Sequence, residues 1–304
     1  MSATLSTAIE EFIEFKKAER LSKSTLIDYA YTLKKFSAVI GDDFNVASIS
    51  SKQIVHYLAS LQVSKKRVKN IYTTLSSFFR WAVAEGYCRT NVVRSIRPPK
   101  PEKRPISPFT RDQIIRMLDA TEFSIPYSRP GKRTCQNTLR HTKRDRLIIL
   151  ILLDTGIRAS ELCGLRVCDI TPEGLYVRGK GSKDRIVPIS EEVRKVLLDF
   201  VGPQNSPNAV VFQTELGNPL TPNSLRLIIC RIANRAKVAN AHPHRFRHTF
   251  AINFLRNGGD PFSLQMILGH ETLDMVKRYL AIVQTDIQAA HRRASPVAAW
   301  GLST

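Results

Sequence analysis

The chain has 304 residues, 43% hydrophobic and 24% charged, and its 46 Lys and Arg against 26 Asp and Glu leave a formal net charge of +20. That composition excludes disordered and collagen-like classes and predicts a globular protein long enough for about two domains. So basic a balance serves polyanions, nucleic acid ahead of membrane surfaces, although charge alone leaves DNA, RNA and ribosomal partners open. The five cysteines, Cys88, Cys135, Cys163, Cys168 and Cys230, form no C-x-x-C pair, so reduced thiols are expected rather than a disulfide framework or a zinc site. No signal-peptide layout opens the chain, and its longest apolar run, residues 147–153, is too short to span a bilayer; a soluble, cytoplasmic protein is expected.

Residues 1–96 read as helices throughout. Leu5, Ile9, Phe12 and Ile13 mark one amphipathic face; Leu26, Ala30, Leu33 and Phe36 mark a second, opened by Ser22; Ile54, Tyr57, Leu58 and Leu61 mark a third. The fourth carries Val68, Ile71, Leu75, Phe78, Phe79 and Ala82 and stops at Gly86. Lys65, Lys66, Arg67 and Lys69 in its first turns are candidate contacts to a phosphate backbone, with a solvated helix face as the alternative.

Residues 97–108 hold Pro98, Pro99, Pro101, Pro105 and Pro108 among Lys100, Lys103 and Arg104, a stiff basic connector that marks a domain boundary. The second domain, 109–304, opens on a capping box of Thr110 and Gln113. Residues 129–146 look like a basic loop leading into a helix, either a DNA contact or a surface insertion. Residues 147–153 are apolar on every side, which predicts a helix in the centre of the domain, ended by Gly156. Arg158 follows at the turn, and 159–165 resumes a helix in which Glu161 is one turn away; a structural Arg158–Glu161 pair is the alternative to a functional arginine. Short strands are expected at 167–170, 175–177 and 186–189. Between the last two, Gly179 and Gly181 permit a tight hairpin that projects Lys180 and Lys183. Helices at about 191–201 and 222–236 come next.

The stretch 242–280 reads as three short helices. Phe246, Phe250 and Phe254 give the first an apolar face, with His244 and Arg247 near its start. Asn257, Gly258 and Gly259 stop it, Asp260 and Pro261 open the next, and that one ends at Gly269, directly before His270. Tyr279 lies in the third, where periodicity alone makes it a core residue. His242, His244 and His248 suggest a metal cluster, but Arg245 and Arg247 among them would repel a cation; His248 reads as a packing residue. Residues 284–304, with Ile287, Ala290, Val297 and Trp300, form a last amphipathic segment, a lid on its own domain or a peg for a neighbour.

Taken together, the T-G-I-R-A-S-E-L-C-G-L run around Arg158, the G-K-G hairpin, His244-x-x-Arg247, Leu268-Gly269-His270 and Tyr279 resemble the tyrosine recombinase (phage integrase) family, closest to its two-domain Xer and integron members. The resemblance covers essentially the whole chain. It implies a mainly α fold with a small antiparallel β-sheet in the catalytic domain, and a helical domain and a catalytic domain that clamp DNA. It also implies a site-specific recombinase whose catalytic residues are Arg158, Lys180, His244, Arg247, His270 and Tyr279, with neither cofactor nor metal.

The residue types suit that chemistry. Attack on a phosphodiester builds charge on oxygens that are already anionic, for which two arginine forks are a natural clamp. Tyr279 would form a 3′-phosphotyrosyl link and release a 5′-hydroxyl, and nearby cations favour its phenolate. By resemblance Lys180 protonates the leaving oxygen, with Lys183 as rival, while His244 and His270 bind phosphate and His244 acts as base toward Tyr279. Lys183 and Arg185 join the candidate DNA contacts. The partners implied are double-stranded DNA with paired recombination sites, a homotetramer in which 284–304 docks on a neighbouring subunit, and accessory DNA-bending proteins, in the cytoplasm at the nucleoid. A type IB topoisomerase and a non-catalytic basic DNA-binding protein are the competing functions.

Overall fold

The computed structural model describes residues 3–98, 100, 106–124, 136–179, 184–203, 206–282, 291, 295–300 and 302. The chain divides into two compact units, Met1–Pro105 and Ile106–Thr304. In the first, helices α1 (Leu5–Ala18), α2 (Lys23–Ile40), α3 (Ser51–Ser60) and α4 (Lys65–Ala84) are each opened by a hydroxyl side chain, Thr4, Ser22, Ser50 and Ser64, that accepts a backbone N–H of the first turn. Their apolar faces close over Phe12, Phe36, Phe78 and Phe79, all fully buried, with Phe12 and Phe78 edge to face at 5.5 Å.

The second unit holds α5 (Arg111–Asp119), α6 (Thr142–Thr155), α7 (Ala159–Cys163), strands β1 (Ile170–Thr171), β2 (Gly174–Val177) and β3 (Arg185–Val187), then α8 (Glu191–Val201), α9 (Pro222–Arg235), α10 (Pro243–Arg256), α11 (Pro261–Leu268), α12 (Asp274–Leu280) and the short α13 (Pro296–Ala299). The sheet is antiparallel in the order β1-β2-β3, with Leu175 opposite both Ile170 and Val187. The fold class is therefore the expected one, mainly helical with a small antiparallel sheet. Among the described residues no helix is long and apolar enough to cross a membrane.

Three local differences from the sequence reading have physical causes. Residues 167–170 are not one strand: Val167–Asp169 is a 3-10 turn, because the Asp169 carboxylate accepts the Arg166 N–H at 2.8 Å and closes the chain on itself. The third strand stops at Val187, since Pro188 has no N–H to give the ladder. Helix α10 is enclosed on two sides instead of one. Phe246 packs against Phe109 at 4.7 Å on the side of the main core, whereas Ala251, Ile252 and Leu255 meet Leu264, Leu268, Val276 and Tyr279 of α11 and α12. Phe250 and Phe254 are only partly buried. Helix α6 matches its apolar sequence: Leu147, Ile148, Ile149, Ile151 and Leu152 have no exposure at all, and the helix lies against α8 and α10.

Candidate active site

Helix α6 ends at Gly156 in the left-handed conformation (φ 61°), and a Cβ there would come within 2.5 Å of the Phe250 ring. Glycine thus lets α10 close on the end of α6, and the chain leaves that junction with Arg158 as the N-cap of α7. The Arg158 side chain is 43% exposed; Nη1 donates to Glu161 Oε1 at 2.8 Å and Nη2 to the Gly269 carbonyl at 2.9 Å. The two readings of this arginine are therefore compatible, since the ion pair with Glu161 leaves the guanidinium at the surface of a concavity.

Glu161 is the hub. It also accepts the Arg158 backbone N–H at 2.7 Å and two bonds from Arg185 at 3.1 and 3.0 Å. Arg185, expected at the DNA, has a side chain that is 11% exposed, and its Nε donates to the Ile267 carbonyl at 2.6 Å, so it braces Glu161 and the end of α11. The guanidinium lies over Gly269 (φ 61°), where a Cβ would stand 3.2 Å from it. Burial works against ionisation of Glu161, but the hydrogen bonds from Arg185 and Arg158 outweigh it and hold the carboxyl below its usual range. A folded pKa below the unfolded one gives stability that is present above the unfolded carboxylate pKa and lost as pH falls through the folded one. Glu161→Gln is therefore expected to cost about 2–4 kcal/mol in urea unfolding at pH 7, and the gap to wild type narrows as acid protonates Glu161. An equal gap at all pH values would contradict this.

Arg247, on α10, is 2% exposed. Its Nη1 donates to the Gly156 carbonyl at 2.9 Å and Nη2 to the Leu268 carbonyl at 2.7 Å. These are C-terminal helix ends, where a cation meets the negative pole of the dipole. Burial, and then Arg158, lowers its pKa to about 10, which still leaves it charged at neutral pH. The two guanidiniums thus rest on consecutive carbonyls, Leu268 and Gly269. Arg158, His244 and Arg247 line one concavity with Arg226 and His242. Arg158 and His270 line a second with Arg178, Arg185 and Glu161, so Arg158 belongs to both.

Two histidines, His248 and His270, adjoin Tyr279, and a third, His244, adjoins His248. His244 is exposed in the first turn of α10; the protein packed about its ring, and then Arg247, His242 and Arg158, push its pKa down. One turn on, His248 has its ring 4.3 Å from that of His244, and its Nδ1 is 3.0 Å from the Tyr279 hydroxyl. His270 lies nearly parallel to the Tyr279 ring at 6.4 Å, with its Nδ1 buried and without a hydrogen-bond partner among the described residues. Burial and neighbouring cations take His248 and His270 each to about 4, so both are neutral at pH 7. Tyr279 is 2% exposed, and burial raises its pKa against the lowering effect of Arg247 and Arg278.

Arg158, His244, Arg247, His270 and Tyr279 are thus brought together, with Glu161, Arg185 and His248 added around them. His248 was readable from its spacing, since residues four apart share a helix face with His244. Lys180 and Lys183 lie outside the described residues; at the hairpin base the Gly179 N–H donates to Asp184 at 3.0 Å. In the first unit, Lys65, Lys66 and Lys69 are exposed, whereas Arg67 is bound to Asp28 at 2.6 Å and Thr32 at 3.2 Å and ties α4 to α2. Of the basic loop, residues 125–135 lie outside the described residues, Arg140 pairs with Glu215, and Arg144 is held by Asp145 and the Gln213 carbonyl.

The phage integrase family model matches residues 129–285, and the model of the phage integrase N-terminal SAM-like domain matches residues 9–87. The chain belongs to the phage integrase family. Among similar curated proteins, the tyrosine recombinase XerC of Oceanobacillus iheyensis is 29% identical over 309 residues, covering 95% of this chain and 95% of its own. The tyrosine recombinase XerA of Thermococcus onnurineus is 29% identical over 299 residues, covering 95% and 96%. Among solved structures, this integrase-family chain shares its fold with a lambda integrase dimer bound to a core site (TM-score 0.73, 21% identity, 91% of this chain and 77% of that one). It shares it equally with the Tn1549 transposon integrase in complex with a circular-intermediate DNA (TM-score 0.74, 19% identity, 96% and 99%).

Proposed function

We propose that the chain is a site-specific DNA recombinase that breaks and rejoins strands through a 3′-phosphotyrosyl intermediate on Tyr279. The observation that carries this reading is the pair of guanidiniums, Arg158 and Arg247, anchored on adjacent carbonyls, with His244 lining one concavity with both, His270 lining another with Arg158, and Tyr279 near Arg247. A scissile phosphate seated on the two arginines has its nonbridging oxygens compensated as the attack adds charge. The Tyr279 oxygen bonds to phosphorus, the bond from phosphorus to the 5′-oxygen breaks, and Lys180, or its rival Lys183, gives that oxygen a proton. His270 and His244 donate to the phosphate. The phosphotyrosyl bond conserves the energy of the one broken, so an incoming 5′-hydroxyl reverses the step with no cofactor.

Residues 1–96 act as the core-site-binding domain, with Lys65, Lys66 and Lys69 toward phosphates, 97–108 as linker and 109–304 as the catalytic domain. Affinity from such contacts falls with salt. The partner is duplex DNA with paired sites, at the nucleoid, with accessory bending proteins. A lambda integrase to which the chain is similar in fold was solved as a tetramer on a Holliday junction, and the same assembly is proposed here. Val297, Trp300 and Leu302 are 56%, 73% and 59% exposed, an apolar tail end suited to a neighbouring subunit.

A topoisomerase is disfavoured by the Xer relatives and the SAM-like match, and a non-catalytic binder by the assembled site. The test is a plasmid carrying two copies of the DNA that flanks this gene. Wild type is expected to resolve it, and a chain ending at residue 283 to bind it but recombine at least about tenfold less, on the scale of a lost interface anchor. Relaxation of any plasmid without resolution favours the topoisomerase, and full recombination by the truncated chain removes the role of the tail.

A further inference from the structure

We propose that His248 is the base that takes the phenolic proton from Tyr279 as its oxygen attacks phosphorus. The inference rests on Tyr279 being the nucleophile. By family resemblance His244 holds this role, yet in the structure the histidine bonded to the Tyr279 hydroxyl is His248, at 3.0 Å from Nδ1.

The imidazole is held at both neighbours. Arg247 before it is clamped between the Gly156 and Leu268 carbonyls, and Thr249 after it donates to the Arg245 carbonyl at 2.8 Å and accepts the Phe109 N–H at 2.8 Å. The base is thus fixed to the same helix turn as one phosphate-binding arginine, which gives the proton transfer and the phosphoryl transfer a common frame. Around His248 stand His242, His244 and Arg247 of α10 and Arg278 and Tyr279 of α12. Its burial and the positive field of Arg278 and Arg247 keep the ring neutral, leaving one ring nitrogen bare to accept a proton. A phosphate on Arg158 and Arg247 offsets part of that positive field, so proton affinity at His248 rises when substrate is bound, while the phenol becomes more acidic as its oxygen bonds to phosphorus.

The balance is complete. The bond from Tyr279 Oη to phosphorus forms, the bond from phosphorus to the 5′-oxygen breaks, the Oη proton moves to His248 Nδ1, and the 5′-oxygen takes its proton from a separate donor, Lys180 in the reading above. On rejoining, the His248 imidazolium returns its proton to the tyrosine oxygen. His244, with its ring 4.3 Å from that of His248, stays a phosphate ligand.

The test uses the full chain and a nicked duplex whose sequence the protein has itself enriched from a random pool, with single-turnover adduct formation followed from pH 5.5 to 9.5. His248→Asn keeps an oxygen that accepts the phenolic hydrogen bond but cannot take the proton. It is expected to be about 10²-fold slower at pH 7, with a rate that climbs steadily with pH so that the gap narrows above about pH 9. His248→Gln repeats the comparison should the Asn variant fail to bind the duplex. His244→Asn is expected to be slower with the wild-type profile shape. Wild-type rate and profile in His248→Asn overturn the proposal, as does a uniform slowing at every pH, which marks a positioning role only. No adduct from wild type, or one that survives Tyr279→Phe, brings down the nucleophile assignment instead.

Discussion

Replacing Tyr279 with phenylalanine is expected to abolish the covalent protein–DNA adduct on a nicked duplex, by on the order of 10⁴-fold or more, as removal of a covalent nucleophile does. DNA affinity should stay within about twofold, because phosphate contacts elsewhere supply it. The fold should hold as well. The ring of Tyr279 is enclosed among Leu255, Leu264, Leu268 and Val276, and the substitution keeps that ring while removing one hydrogen bond, that to His248, worth about 1 kcal/mol. A large loss of catalysis with a small loss of stability is the signature of a reacting group. A variant that still forms adduct would show that the hydroxyl takes no part.

Arg247→Ala is expected to lose both stability and catalysis. The side chain is among the largest fully buried ones of the described residues, and removing it leaves the Gly156 and Leu268 carbonyls without their donor and opens a cavity where α6, α10 and α11 meet. Two orphaned carbonyls and a void cost about 3–5 kcal/mol in urea unfolding. Adduct formation should fall on the order of 10³-fold, the scale of one lost donor to a developing oxyanion. Arg247→Lys keeps charge but cannot span two carbonyls and offer a fork to phosphate, so it should recover more stability than activity. Wild-type stability in Arg247→Ala would contradict the bonding described here.

What the sequence made legible was local. The apolar run at 147–153 announced α6 because a helix without a polar face has nowhere to sit but the core, and the caps at Thr110 and Asp260 announced α5 and α11 because their side chains satisfy backbone donors a few residues away. Pairings set by the fold were hidden. Arg67 reads as a phosphate contact until Asp28, on another helix, is found beside it, and Arg185 reads as a hairpin cation until Glu161 and Ile267 engage it. Neither partner is encoded by spacing. For the same reason His248 passed as a packing residue: its helix face was readable, but the tyrosine that meets it comes from α12. Tyr279 itself is 2% exposed, as periodicity requires, and its hydroxyl lies 3.0 Å from Nδ1 of a neutral histidine. Family resemblance pointed to it as nucleophile where periodicity could not.

The most direct measurement is to trap the protein on a nicked duplex, digest the adduct with protease and locate the DNA-linked residue by mass spectrometry. A single 3′-phosphate ester on Tyr279 is the expected result. A link to any other residue, or a duplex that is recombined without a covalent intermediate, would contradict it.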